Sequence, residues 1–213
     1  MTDVAIIDYG MGNLRSVAKA VEHVAPGRKV VVTSDPAVVA AAERVVFPGQ
    51  GAMPDCMREL AARGVREAVI AAAASKPFLG ICIGQQMLFE HSDEGDVAGL
   101  AILPGEVVRF PPAESMRTAD GGHLKVPHMG WNEVWQSGPH ALWEGIADGE
   151  RFYFVHSYHV APAERALVAA ETDYGSRFTS AVARDNIFAV QFHPEKSATT
   201  GLRLLANFIR WMP

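Results

Sequence analysis

A cysteine between two glycines is the first residue of this chain whose surroundings indicate chemistry. The segment Gly80-Ile81-Cys82-Ile83-Gly84 lies where an apolar, strand-like run gives way to a helical pattern. A nucleophile on such a sharp turn needs small neighbours, and the turn exposes the reactive atom at the edge of a sheet. The amino end of the helix stabilises a thiolate, and its N–H groups can bind an oxyanion. Cys82 is therefore a candidate nucleophile, although a small apolar residue at a tight turn explains the same five residues equally well.

A histidine and a glutamate near the end of the chain could complete the chemistry. A cysteine nucleophile needs a base that accepts its proton, and the base needs a third group that orients its ring. The segment Gln191-Phe192-His193-Pro194-Glu195 follows a strand-like run, at the edge where sites of open α/β sheets lie. If the extended conformation continues, His193 and Glu195 point to the same side. No H-x-x-x-H motif or Cys/His cluster indicates a metal site, so the pattern predicts a Cys82, His193 and Glu195 triad.

The elements that must position these residues alternate in the first half of the chain. Apolar runs predict strands, and apolar residues at helical spacing predict helices between them. The strands are expected at 3–8, 29–33, 44–47 and 78–81, and the helices at 14–24, 36–42, 53–75 with a break near Gly64, and 83–91. Such alternation predicts a parallel sheet with covering helices.

The second half of the chain is rich in short strands separated by turn residues. They are expected at 106–110, 151–160, 166–170, 178–184 and 187–191, before an amphipathic helix at 201–212. The expected fold class is α/β, with a mostly parallel central sheet flanked by helices and an additional antiparallel strand region. No shift in composition marks a boundary, so one domain over residues 1–213 is expected.

Composition excludes several other classes of function. The 19 Lys and Arg against 24 Asp and Glu give a net charge of −5, without a basic block, so nucleic acid is not expected as a partner. No apolar run reaches the roughly 18 to 20 residues that span a bilayer, and the first residues lack a basic segment, so neither membrane insertion nor export is expected. Two cysteines, Cys56 and Cys82, fit free thiols in a reducing cytoplasm. No metal or organic cofactor is indicated.

The paired motifs G-I-C-I-G-x-Q at 80–86 and H-P-E at 193–195 resemble those of the class I, or triad, glutamine amidotransferases. Further segments are similar to the glutaminase subunits of imidazole glycerol phosphate synthases, enzymes of histidine biosynthesis. These segments are I-D-Y-G-M-G-N-L at 7–14, P-G-Q-G at 48–51, P-H-M-G-W-N at 127–132, F-V-H-S-Y at 154–158 and the run 191–197. The resemblance covers essentially the whole chain.

The resemblance implies a reaction divided between two proteins. Glutamine would be hydrolysed in this chain, and ammonia would pass through a tunnel to a cyclase subunit with a (β/α)8 barrel, in a heterodimer. Cys82 would form a γ-glutamyl thioester, His193 would protonate the departing ammonia and then activate water, and Glu195 would orient His193.

The resemblance also implies the residues that bind substrate and partner. Gln86 and Glu94 would hold the amino-acid end of glutamine, and the turn from Gly49 to Gly51 would supply a mobile part of the oxyanion hole. The segment His156, Ser157 and Tyr158 would complete the pocket. Residues implied to face the cyclase are Met129, Trp131, Tyr153 and Lys196. Gln50 departs from the pattern, because a small or apolar residue such as valine is expected between these glycines in many relatives.

Three alternatives remain open from the sequence. A glutaminase subunit serving anthranilate or aminodeoxychorismate synthesis would share Cys82, Gln86, His193 and Glu195. A cysteine peptidase or γ-glutamyl hydrolase would act at full rate without a partner. A non-catalytic binding subunit would keep the fold and would not depend on Cys82.

Overall fold

The first half of the chain alternates strands and helices, as its apolar pattern predicts. A computed structural model describes residues 2–112, 115–117 and 122–213. The strands are β1 (Val4–Ile7), β2 (Val30–Thr33), β3 (Arg44–Gly49), β4 (Phe78–Cys82), β5 (His91–Ser92), β6 (Val97–Ala98), β7 (Gly105–Arg109), β8 (His128–Glu133), β9 (Trp135–Gln136), β10 (Arg151–His156), β11 (Tyr158–Pro162), β12 (Val168–Asp173), β13 (Arg177–Arg184) and β14 (Ile187–Val190). The helices are α1 (Leu14–Val24), α2 (Pro36–Ala41), α3 (Met53–Ala62), α4 (Arg66–Ala73), α5 (Ile83–Gln86) and α6 (Ala198–Arg210). None of these helices is long and apolar enough to cross a membrane.

One large sheet organises the described residues. Its strand order is β2-β1-β3-β4-β14-β13-β11-β7-β5-β6. Outside this order, β12 pairs with β13, and β9 pairs with β12. The five strands from β2 to β14 run parallel, whereas β13, β11 and β7 pair antiparallel in turn. A separate antiparallel pair consists of β8 and β10. The α/β class with an additional antiparallel region is therefore confirmed.

Three adjacent parallel strands position the site. Strand β4 lies between β3 and β14, with Gly49 opposite Cys82 and Val190 opposite Ile81. All four residues of β14 and all five of β4 are buried, as expected for the centre of a parallel sheet. Because parallel strands end at the same edge, the segments after β3, β4 and β14 meet there.

Local sequence explains where the flanking helices begin and end. Asn13 caps α1 by accepting a hydrogen bond from the Ser16 N–H at 3.3 Å, and Asp35 caps α2, which Pro36 opens. Gly64, at φ +66°, lies between α3 and α4 and produces the predicted break. Helix α6 buries Leu204, Leu205 and Phe208, and it begins at Ala198, earlier than predicted.

The predicted helix at 83–91 is wrong in its length. Helix α5 ends at Gln86, and His91 belongs to strand β5. The carbonyl oxygens that would continue the helix bind the backbone of a later loop: Met87 accepts from Leu100 at 2.8 Å, and Leu88 accepts from Ile102 at 2.9 Å. Long-range hydrogen bonds therefore replace the local ones.

The single strand predicted at 151–160 is also wrong, because the chain changes sheets at Ser157. His156, the last residue of β10, pairs with His128 of β8, whereas Tyr158, the first residue of β11, pairs with Arg109 of β7. Apolar alternation is the same on both sides of this break, so it cannot locate the change of partner.

Candidate active site

Cys82 occupies a strained turn between β4 and α5. Its φ of 56° and ψ of −114° lie where residues other than glycine are rarely found. Both flanking glycines are required by close packing. A Cβ at Gly84 would overlap the carbonyl oxygen of Phe47, and one at Gly80 would come within 2.9 Å of the Ala189 Cβ. The strained turn predicted for the G-x-C-x-G segment is thus confirmed.

His193 and Glu195 form a buried pair just beyond β14. The Nδ1 of His193 lies 2.8 Å from Oε1 of Glu195, and each side chain is only 1% exposed. Because a carboxylate can only accept, Nδ1 is the donor. The extended conformation on which the expected contact depended does not continue, because Pro194–Lys196 form a 3-10 turn. This turn brings Glu195 back under the ring, and Ser197 donates to the His193 carbonyl oxygen at 2.6 Å.

The electrostatics of this pair favour a charged imidazole. Burial alone lowers the pKa of His193, but the neighbouring Cys82 and Glu195 oppose this effect and raise the pKa to about 10. The Nε2 atom is buried and forms no hydrogen bond with any described residue, the Cys82 sulfur included. Cys82 raises the pKa of His193 mainly through its charge, and the unpaired Nε2 keeps its proton available for transfer.

One cavity of about 410 Å³ opens at this edge of the sheet. Nine residues predicted for the site line it: Gly51, Cys82, Gln86, Glu94, His156, Ser157, Tyr158, His193 and Lys196. Gln50, Ile83, Pro127 and Val155 complete the lining. The candidate nucleophile, the candidate base and most of the expected substrate contacts thus share one space of the size that a small metabolite occupies.

The polar side chains of the cavity differ in which of their hydrogen-bonding atoms remain without a partner. Glu94 accepts a hydrogen bond from the Met53 N–H at 2.8 Å through Oε2. Gln86 donates through Nε2, while its buried Oε1 is without a partner among the described residues. His156 contacts the Tyr158 carbonyl oxygen through Nδ1 at 2.8 Å and His128 through Nε2 at 3.0 Å. Both ring nitrogens of His156 therefore have partners, and this ring lines the cavity without offering a free polar atom. Glu94 and Gln86, by contrast, retain acceptor oxygens.

The glycine turn after β3 packs tightly beside Cys82. Gly51 has φ +109°, a conformation that favours glycine, and it lines the cavity. Gly49 lies outside that lining, but it pairs with Cys82 across the strands, and a Cβ there would overlap the Tyr9 hydroxyl. Between them, the Gln50 carbonyl oxygen accepts from Cys56 Sγ at 3.5 Å. The turn therefore lies against Cys82, and the hydrogen bond from Cys56 fixes its backbone.

The family model described as "Glutamine amidotransferase class-I" matches residues 5–211. This chain is a class-I glutamine amidotransferase. Two curated relatives are each named "Imidazole glycerol phosphate synthase subunit HisH". The protein from Aromatoleum aromaticum is 80% identical over all 213 residues and over its own full length. The protein from Dechloromonas aromatica is 71% identical over 210 residues, which cover 99% of this chain and 97% of that protein.

Solved structures of low sequence identity share the amidotransferase fold. PurLQS from Thermotoga maritima has a TM-score of 0.68 at 18% identity and covers 99% of this chain and 99% of its own. The glutaminase domain of the CTPS from Trypanosoma brucei, with bound acivicin, has a TM-score of 0.65 at 16% identity. It covers 100% of this chain and 96% of its own. At these identities the likeness concerns the fold alone.

The residues expected to face a partner of this amidotransferase lie beside the cavity, on β8, on β10 and in the 3-10 turn that ends at Lys196. Met129 is 62% exposed and Trp131 is 50% exposed, which is unusual for large apolar side chains. Tyr153 pairs with Trp131 across the two strands. The ammonium group of Lys196 lies 6.0 Å from the centre of the Tyr153 ring, and Lys196 also lines the cavity. These four residues connect the cavity with an exposed apolar surface.

One polar residue of the site was not identified from the sequence. Gln191 is fully buried, and its Nε2 lies 3.7 Å from the Cys82 sulfur. The available signal was an amide at the end of the apolar run 187–190, where a buried polar side chain needs a partner. The sequence could not name that partner, because β4 and β14 are about a hundred residues apart in the chain.

Proposed function

We propose that this chain hydrolyses glutamine to glutamate and ammonia as the glutaminase subunit of an imidazole glycerol phosphate synthase. The observation that carries the proposal is the shared cavity, where the strained Cys82 and His193 meet and where the buried Glu195 holds the His193 ring from outside the lining. The names and full-length coverage of the relatives support the choice of synthase. The ammonia would then pass to a cyclase subunit.

The geometry supports a two-step acyl transfer. The Cys82 sulfur attacks the carboxamide carbon of glutamine, and N–H groups at the start of α5 and in the turn around Gly51 bind the developing oxyanion. His193 gives its proton to the departing nitrogen, which leaves as ammonia and produces a γ-glutamyl thioester. His193 then removes a proton from water, which attacks the thioester and releases glutamate, so that the Cys82 thiolate and the protonated His193 are restored. Glu195 holds the ring throughout, because it accepts the hydrogen bond from Nδ1 at 2.8 Å.

Complementary charge supports glutamine as the substrate. A carboxylate suits an ammonium group, and Glu94 lines the cavity with one oxygen committed to the Met53 N–H. The unpaired Oε1 of Gln86 is a second acceptor at the same cavity. Ser157 and the backbone of Tyr158 would contact the other polar atoms of the amino-acid end.

The partner surface follows from the same proposal. Met129, Trp131, Tyr153 and Lys196 would contact the cyclase subunit in a heterodimer, so that ammonia leaves the cavity without crossing bulk water. The unpaired thiols of Cys56 and Cys82 support a reducing compartment, and we place the protein in the cytoplasm. The chain would act as one domain, residues 1–213.

The decisive experiment measures glutamate release from glutamine by the purified chain, alone and with the cyclase together with its nucleotide ligand. Cys82→Ala should abolish release. Cys56→Ser is the matched control, because Cys56 is also buried and serine keeps a donor for the Gln50 carbonyl oxygen. We expect weak activity alone and a large rise with the ligand-bound partner.

Each other outcome points to a different function. Full activity without a partner would indicate an autonomous hydrolase. Activation only by the partner protein of anthranilate or aminodeoxychorismate synthesis would reassign the chain to that enzyme. Glutamate release that persists in Cys82→Ala would refute the mechanism, and absence of any release would indicate a binding subunit.

A further inference from the structure

The Cys82 sulfur has a polar neighbour for which the proposed triad gives no role. Gln191 directly follows β14, and its backbone N–H donates to the Ser180 carbonyl oxygen at 2.9 Å, which holds the residue in the sheet. Its side chain is fully buried, and the amide Nε2 lies 3.7 Å from Sγ of Cys82. A buried amide without a strong acceptor is costly, so its contact with sulfur needs an explanation.

A chain of hydrogen bonds determines which end of the Gln191 amide faces the sulfur. The backbone oxygen of Tyr158 can only accept, and Gln86 lies 3.0 Å from it, so Gln86 must present its NH2 group there. The same Gln86 Nε2 lies 2.9 Å from Gln191, which must therefore offer its carbonyl oxygen, Oε1. The NH2 group of Gln191 is left facing Cys82. The Tyr158 carbonyl thus sets the direction of the whole chain of amides.

We propose that Gln191 donates a hydrogen bond to the thiolate form of Cys82 and thereby stabilises the reactive anion and orients the sulfur. An NH2 group cannot accept a hydrogen bond from a thiol, so the contact favours the anion over the neutral form. Hydrogen bonds to charged acceptors are also stronger than those to neutral ones. Gln191 then acts with His193, which lies at the same cavity, and it connects the nucleophile to Gln86. The inference rests on the proposed function only in that Cys82 is taken as the nucleophile.

Gln85 provides a matched comparison within the same fold. It is also fully buried, and its Nε2 donates to the Ala189 carbonyl oxygen at 3.2 Å. No side-chain hydrogen bond connects it with Cys82 among the described residues. Replacing each glutamine with methionine removes the same amide from the same kind of surroundings, but only the Gln191→Met change removes a donor from the sulfur.

The test is the pH profile of iodoacetamide alkylation, followed on the Cys82 peptide by mass spectrometry. This small neutral reagent reacts with thiolate, so the profile reports the anion without requiring glutaminase activity. Gln191→Met should move the half-maximal pH upward by about 0.5 to 1 pH unit, the equivalent of one hydrogen bond. Gln191→Glu, which accepts and adds negative charge, should move it further. Gln85→Met should leave the profile unchanged, and melting curves establish which variants are folded.

Two results would overturn the proposal. One is an unshifted profile in folded Gln191→Met or, if that variant does not fold, in folded Gln191→Glu. The other is an equal shift in Gln85→Met, which would mean that any lost buried amide perturbs Cys82. Glutamine hydrolysis is measured in parallel on the complex with the cyclase. A chain that lacks glutaminase activity yet shows the shift would refute only the proposed function, whereas an unshifted profile with Cys82-dependent activity would refute only the role of Gln191.

Discussion

Replacing Glu195 with glutamine tests whether the carboxylate supports His193 through its charge or only through its shape. The substitution keeps the size of the side chain but removes a buried negative charge that lies 2.8 Å from Nδ1. Hydrogen bonds to charged groups contribute about 1.5 to 3 kcal/mol. At about 1.4 kcal/mol for each factor of ten, kcat/KM for glutamine should fall by about ten- to 150-fold.

The same substitution should change the pH dependence in a defined direction. Cys82 and Glu195 oppose the effect of burial and raise the pKa of His193 to about 10, so the wild-type imidazole stays protonated well above neutral pH. Without the Glu195 charge, the pKa of His193 falls and the proton is lost at lower pH. In Glu195→Gln, the alkaline limb of the kcat/KM profile should therefore move to lower pH.

The assay is glutamate release by the complex with the cyclase subunit, measured from about pH 6 to about pH 11 so that the wild-type alkaline limb falls within the range. Glu171→Gln is the matched control. Glu171 also accepts a charge-assisted hydrogen bond, from Arg165 at 2.6 Å, but it lies outside the cavity lining. A fall of less than about threefold in Glu195→Gln, or an alkaline limb at the wild-type position, would refute the argument from charge.

Three further predictions address stability and assembly. Lys76→Met should lower the free energy of unfolding by about 1 to 2 kcal/mol in urea titrations, because Nζ donates to the carbonyl oxygens of Ala40 and Ala42 at the end of α2. Arg66→Met is the control: this half-exposed side chain donates to the adjacent Glu67, and its loss should have almost no effect. Lowering the pH from about 7 to about 5 should destabilise the protein, because burial lowers the pKa of His128 to about 4 while the unfolded chain binds the proton near 6.5. This pH-dependent loss of stability should be smaller in His128→Gln than in the wild type, and an equal loss in the two proteins would exclude His128 as its source. Trp131→Ala should weaken cyclase binding at least about tenfold in calorimetry with little change in stability, whereas Met212→Ala, an exposed residue after α6, should bind normally.

Motifs with a local physical cause were readable from the sequence. Glycines on both sides of Cys82 predicted the strained turn because only small residues fit there, and the structure confirms it. The alternation of apolar runs predicted the parallel half of the sheet, and helix α1 was predicted at its observed bounds, Leu14–Val24. Each of these features depends on residues within a few positions of one another.

The tertiary structure decided what depends on strand neighbours. The pairing of β4 with β14 brings His193 and Gln191 to Cys82, and no local pattern specifies that pairing across about a hundred residues. Long-range hydrogen bonds ended α5 at Gln86, and the change of sheets at Ser157 divided one predicted strand into two. The contact of His193 with Glu195 was expected, but a 3-10 turn rather than a continued strand produces it. The sequence therefore determined which groups are present, whereas strand order and competition for backbone hydrogen bonds determined which of them meet.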